Sequence, residues 1–143
     1  MRVVVVVQAR MGSSRLPGKV LRKVGQQTVL THVLARARAI PGVHEVHVTT
    51  TANAEDDAIV NRCRGAGVGW TRGQVRMPSG KNDVLTGYAL AAQATDADIV
   101  VRITSDCPLL DPHVAADVIS ALRTENADYA SNEIGRASCR ERV

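Results

Sequence analysis

The chain predicts an α/β fold of three layers, α/β/α, built around a mostly parallel sheet. Three observations carry that prediction. β-branched apolar runs recur at Val3–Gln8, Glu45–Thr51 and Ile99–Thr104. Helical patterns lie between them, at the spacing of strand–helix–strand units that give a parallel sheet covered on both faces. The first run is a block of valines without polar alternation, as expected of a central strand buried on both sides.

Taken in order, Val3–Gln8 is the first strand, followed by a loop of small and cationic residues. Residues 28–40 then set Val29, Val33, Leu34, Ala37 and Ile40 at helical spacing, and Pro41-Gly42 ends that helix. Glu45–Thr51 reads as the second strand. Asn53 is expected to cap a helix whose first turn holds Glu55, Asp56 and Asp57, where carboxylates favour the positive helix end. Gly65-Ala66-Gly67 stops it. Residues 68–71 form a short strand, 72–82 a polar loop and 83–94 an alanine-rich helix. Ile99–Thr104 is a further buried strand. Pro112 opens a helix to about Arg123, and residues 127–130 begin a fifth strand.

Composition narrows the function. With 45% hydrophobic and 22% charged residues, the 143-residue chain suits one soluble domain with a core of its own. A net charge of +4 on its own favours a solvated surface over a polyanionic ligand. Aromatic residues make up only 2%, with no Phe, which argues against single-stranded nucleic acid stacked on rings, and no nucleic-acid motif is present. Cys63, Cys107 and Cys139 are far apart and form no zinc or disulfide pattern, so reduced thiols in the cytoplasm are expected. The opening apolar run is too short to span a membrane. Residues 133–143, "EIGRASCRERV", show no apolar periodicity and look like an in-frame translation of a sequencing adapter. The expected division is therefore a domain over 1–132, truncated near Asn132, and a non-native tail over 133–143.

Two motifs carry chemistry, and both follow long strands, at the edge where open α/β sheets bind ligands. In "ARMGSSRLPGK" small residues let backbone N–H groups approach an anion, while Arg10, Arg15 and Lys19 supply positive charge. A triphosphate needs both; the competing reading is a glycine-serine turn with solvated cations. The loop is not a Walker A motif, because Val20 stands where the magnesium-binding Ser/Thr would be. In the second motif, "VVRITSDCPLLD", Asp106 follows a strand and precedes Cys107-Pro108, a place suited to a carboxylate that holds Mg2+. Asp111 is expected to cap the helix at Pro112. Cys107 lacks a His partner and reads as buried filler. Arg102, on an apolar strand, reads as paired with a carboxylate or near the ligand. The four histidines read as non-catalytic.

"QARMGSSRLPGKVL" resembles the signature of the sugar cytidylyltransferases, closest to the spore-coat polysaccharide biosynthesis type, with the 3-deoxy-manno-octulosonate (KDO) and acylneuraminate cytidylyltransferases as relatives. "VLTHVLARARAIPGV", "EDDAI", "NDVL" and "RITSDCPLLDP" extend the resemblance to about Asn132. It implies a nucleotide-diphospho-sugar transferase-like, Rossmann-like fold. It also implies an enzyme that moves CMP from CTP to an acidic sugar with release of pyrophosphate, for surface polysaccharide. The resemblance assigns the triphosphate to Arg10, Arg15 and Lys19, with backbone support from Gly12, Ser13 and Ser14, and Mg2+ to Asp106. Ser105 stands where the family has glycine. Thr104, Ser79, Gly80, Asn82 and Asp83 are further nucleotide contacts on this reading, the middle group alternatively being a surface loop. The resemblance places the acceptor-sugar site, a second metal-binding aspartate and much of a homodimer contact beyond Asn132. The chain then reads as an enzyme's nucleotide-binding part, with a catalytically incomplete CTP-binding fragment as the alternative.

Overall fold

The computed structural model describes residues 1–76 and 82–132, with the backbone alone at 74–76 and 82. Seven strands and four helices follow one another. They are β1 (Val3–Gln8), β2 (Lys23–Val24), β3 (Gln27–Thr28), α1 (Val29–Arg38), β4 (Glu45–Thr51), α2 (Asp57–Ala66), β5 (Gly69–Arg76), β6 (Asn82–Asp83), α3 (Val84–Thr95), β7 (Ile99–Thr104) and α4 (Pro112–Thr124). The main sheet has the order β6-β5-β4-β1-β7, parallel except for β6, and β2-β3 make a separate hairpin.

The valine block explains the layering. Alternate residues of a strand face opposite sides, so Val3, Val5 and Val7 join α1, α2 and α4 through Leu30, Leu34, Ile59, Cys63 and Ile119. Val4 and Val6 face the other way and meet α3 at Tyr88 and Ala91. The expected three-layer fold is therefore present, with three helices on one face and one on the other.

Three helices open on side-chain caps, of which the sequence marked Asp111. Thr28 accepts from the Thr31 amide, Asp83 from the Thr86 amide and Asp111 from the His113 amide, each opening a helix. Gly67, at φ +62°, closes α2 in the left-handed conformation that glycine tolerates.

Five expectations need correction. The strand expected over 68–71 runs on to Arg76, through the supposed polar loop. A bulge between Thr49 and Thr51 shifts its register, and Arg72 turns back to donate to the Thr51 and Asn53 carbonyls at 2.9 and 2.8 Å. The β2-β3 hairpin, turned at Gly25 with φ +65°, was not anticipated. Asn53 caps nothing with its side chain; a 3-10 turn, Ala54–Asp56, precedes α2 and turns Asp56 into the interior. Residues 127–130 form no strand. Finally, β7 lies at one end of the sheet order, and Val100 and Arg102 are exposed on it, so the strand is only half-buried.

Candidate functional site

The sheet is wound outward in both directions from β1, toward β4 on one side and toward β7 on the other. Ligands of open α/β sheets sit beyond the carboxyl ends of the strands where that order reverses. Gln8 pairs with Thr104 at the ends of β1 and β7, which sets the loops leaving those strands side by side. Lys19 Nζ donates to Asp106 Oδ2 at 2.8 Å, across 87 residues of sequence. The glycine loop's last cation and the carboxylate after β7 therefore converge.

The loop over residues 10–19 is closed on its own backbone. The Ser13 and Gly18 amides both donate to the Met11 carbonyl at 2.9 Å. The Ser13 hydroxyl accepts from the Leu16 amide at 3.4 Å. Gly18 holds φ +67°, so glycine is required there by conformation. At Gly12 the constraint is weaker: an added Cβ would lie 2.8 Å from the end of the flexible Glu55 side chain, which can swing aside. Among the described residues the amides of Gly12, Ser14 and Arg15 donate to no protein group, and the Arg10 and Arg15 guanidinium groups pair with none. Open amides flanked by exposed cations are what an anion-binding loop offers.

Asp106 is half-exposed. The Lys19 ammonium, with the Thr104 hydroxyl adding to it, holds its carboxyl below the usual range. Thr104 lies beside it, its hydroxyl 3.4 Å from Cys107 Sγ. Cys107 is exposed, contrary to the expectation of buried filler, because the turn after β7 carries it outward with Asp106; Cys63 is the buried thiol, its pKa pushed up to about 11. Ser105 is buried and tucked inward while Asp106 faces solvent. Arg102 finds no carboxylate among the described residues and stacks over the Tyr88 ring at 5.8 Å.

The remaining expected contacts divide. Ser79 and Gly80 lie outside the described residues, as do the Asn82 side chain and the whole of 133–143. Asp83 is occupied as the α3 cap, receiving the Thr86 amide at 3.0 Å and its hydroxyl at 2.5 Å. Sequence reasoning missed Asp56, whose Oδ1 accepts the Met11 amide at 2.7 Å. Its position, after a strand end in the same edge row as Asp106, was the available signal.

The donor set fits Mg2+ of one kind only. No group of three His, Cys, Asp or Glu residues that could cage a metal occurs among the described residues. Asp106 offers one carboxylate beside an anion loop, the arrangement for an ion whose other ligands are substrate phosphates and water. No helix among the described residues is long and apolar enough to cross a membrane.

A doubly wound sheet with a glycine- and cation-rich loop and a carboxylate at its switch point defines an α/β protein whose unusual residues gather beyond the ends of β1 and β7, where open sheets of this class take ligands. Its family can be stated more narrowly. The chain belongs to the cytidylyltransferase family, whose profile its residues 4–143 match. It is 29% identical over 131 residues to the spore coat polysaccharide biosynthesis protein SpsF of Bacillus subtilis, covering 89% of this chain and 52% of that one. A cytidylyltransferase structure from Leptospira borgpetersenii superposes with a TM-score of 0.77 at 34% identity, over 87% of this chain and 50% of that one. The structure of a CMP:2-keto-3-deoxy-manno-octonic acid synthetase complexed with CTP gives 0.72 at 28% identity, over 89% and 49%. The chain thus spans about half the length of the curated relatives it matches.

Proposed function

We propose that the loop over residues 10–19 binds the triphosphate of CTP, with Mg2+ carried on the nucleotide and held by Asp106. The protein of which this chain forms about half would then transfer CMP to an acidic sugar for surface polysaccharide, releasing pyrophosphate. The observation that carries the reading is the meeting of Lys19 and Asp106 at the switch point. Family membership and the relative complexed with CTP support it.

In this reaction a sugar hydroxyl oxygen bonds to the α-phosphorus and gives up its proton to solvent as the bond to the bridging pyrophosphate oxygen breaks. The chain's contribution is to position the nucleotide and offset its charge. The open amides of Gly12, Ser14 and Arg15 face the phosphates, with Ser13 shaping the turn. Arg10, Arg15 and Lys19 stabilise charge that grows on the leaving group. Thr104 flanks Asp106, and Ser79 and Asn82 are retained as nucleotide contacts from the family resemblance. Mg2+, when bound, supplies further charge neutralisation at the phosphates. Buried Cys63, a free thiol, suits a reducing compartment, and the cytoplasm is the assigned location. A homodimer is assigned to the full-length protein on the resemblance alone.

Because the chain spans about half the length of its relatives, a second reading stands beside the first: this piece binds CTP without turning it over. One experiment separates them. CTP binding is measured calorimetrically with Mg2+, and pyrophosphate release is followed across a panel of acidic sugars. Binding with release supports transfer; binding without release supports the nucleotide-binding piece. Arg15→Ala should weaken CTP binding by roughly 1.5–3 kcal/mol, the worth of a charge-assisted contact. Unchanged affinity in that variant removes the triphosphate assignment.

A further inference from the structure

We infer that Asp56 is the positioning residue of the phosphate loop, fixing its start; the inference rests on the triphosphate reading above. Met11 is the loop's hub, bonded through both peptide planes that meet at its Cα. Its carbonyl receives the Ser13 and Gly18 amides, both at 2.9 Å, and so closes the turn. Its own amide donates to Asp56 Oδ1 at 2.7 Å. Asp56 therefore fixes the Arg10–Met11 peptide plane, and only the φ/ψ of Met11 separates that plane from the Met11–Gly12 plane that closes the turn, so it constrains the direction in which the Gly12, Ser14 and Arg15 amides point.

Asp56 is itself held firmly. It is 0% exposed, and its other oxygen accepts the Thr51 hydroxyl. The Thr51 hydroxyl also accepts from the Asn53 amide at 3.1 Å, and the Thr51 carbonyl accepts from Arg72 Nε at 2.9 Å. Arg72 reaches on to Asp57 at 2.6 Å. A chain of hydrogen bonds thus runs from β5 through the end of β4 to the loop that leaves β1. A buried carboxylate is costly to solvate poorly, so an apolar residue would serve simple packing better. Two of its hydrogen bonds serve a preorganised anion site, and only an acceptor can receive the Met11 amide.

The test compares CTP with CMP on the full 143-residue chain. Phosphates beyond the first are what the loop reads, so its alignment appears as the CTP-over-CMP preference and not as general stability. Asp56→Ala should cut that preference about tenfold, the equivalent of roughly 1.4 kcal/mol. Asp56→Asn, which keeps an acceptor oxygen for Met11, should keep the preference within about threefold, even where its melting temperature falls. A wild-type chain without any CTP preference removes the phosphate-loop reading and this inference with it. A wild-type preference that survives in Asp56→Ala overturns the inference alone. Amide hydrogen exchange of the wild-type chain needs no variant to fold. Without nucleotide the Met11 amide should exchange about tenfold or more slowly than those of Gly12, Ser14 and Arg15. Equal exchange at the four amides also overturns it.

Discussion

Lys19 and Asp106 are bonded to each other in the free protein, yet the proposed chemistry asks one to meet phosphate and the other a cation. The pair is exposed enough for this exchange, at 34% and 46% for the two side chains. Exposed ion pairs contribute little to stability, under about 1 kcal/mol, so it can open cheaply when nucleotide arrives. Lys19→Ala should therefore barely move the melting temperature. The same variant should raise the titration midpoint of Asp106 toward the ordinary carboxylate range, because the ammonium is the first cause of its lowering. Above the ordinary carboxylate range Asp106 is ionised with or without Lys19, so at neutral pH the variant isolates the lost cation. CTP affinity should then fall by roughly 1.5–3 kcal/mol. Carboxyl NMR titration and calorimetry read the two effects, and a loss of stability without loss of affinity would make the pair structural.

At the scale of elements, the difference between what was legible and what was not has a local cause. Val3–Gln8 was readable to the residue because burial on both faces demands an apolar run, while Glu45–Thr51 and the half-buried Ile99–Thr104 were readable from their β-branched residues. Helix limits were readable through Asp111 and Gly67, whose capping chemistry is local, whereas Thr28 and Asp83 were read only as the first residues of their helices. The far half of β5 was not, since Arg72-Gly73-Gln74 carries no strand pattern and is held by pairing with β4 across a bulge. Asp56 was misread for the same reason: only the tertiary fold turns it from helix start to loop anchor. In the site, Lys19 and Asp106 were legible as motifs, while their contact depends on β1 and β7 being neighbours. Gly73 offers a test at this scale. Its Cβ would fall 2.4 Å from Leu90 Cδ1 and 3.3 Å from Leu90 Cβ, so β5 and α3 pack through the missing side chain. Gly73→Val should destabilise the fold by about 1–3 kcal/mol through overpacking. Leu90→Ala should recover part of that loss in the double variant, and additive losses by denaturant unfolding would disprove the contact.

Across the whole molecule, the loop and carboxylate beyond the strand ends are accompanied by a different kind of polar burial inside the sheet. His47 lies early in β4, 5% exposed, with its ring against Gly69, where an added Cβ would come within 2.8 Å of Nδ1. Neither ring nitrogen has a hydrogen-bond partner among the described residues, and Glu45, 3.7 Å away, is already engaged by Arg2 at 2.6 Å. Burial lowers the His47 pKa, and the Glu45 charge opposes this only in part. The sign follows directly. Below the unfolded pKa of about 6.5 the unfolded chain binds a proton that the folded chain refuses, so stability drops as pH falls from there toward the folded value. The slope contributed by this one group cannot exceed about 1.4 kcal/mol per pH unit. Because His47 pairs with Val6 inside the sheet and, among the described residues, no hydrogen bond of the loop over residues 10–19 reaches it, the loss should appear in unfolding and leave the CTP-over-CMP preference unchanged. Melting temperatures measured from pH 7.5 to 5.5 should therefore decline in the wild-type chain and decline less in His47→Leu. Parallel declines in the two proteins would place the acid sensitivity elsewhere, and a matching decline in nucleotide preference would mean that His47 and the loop are coupled.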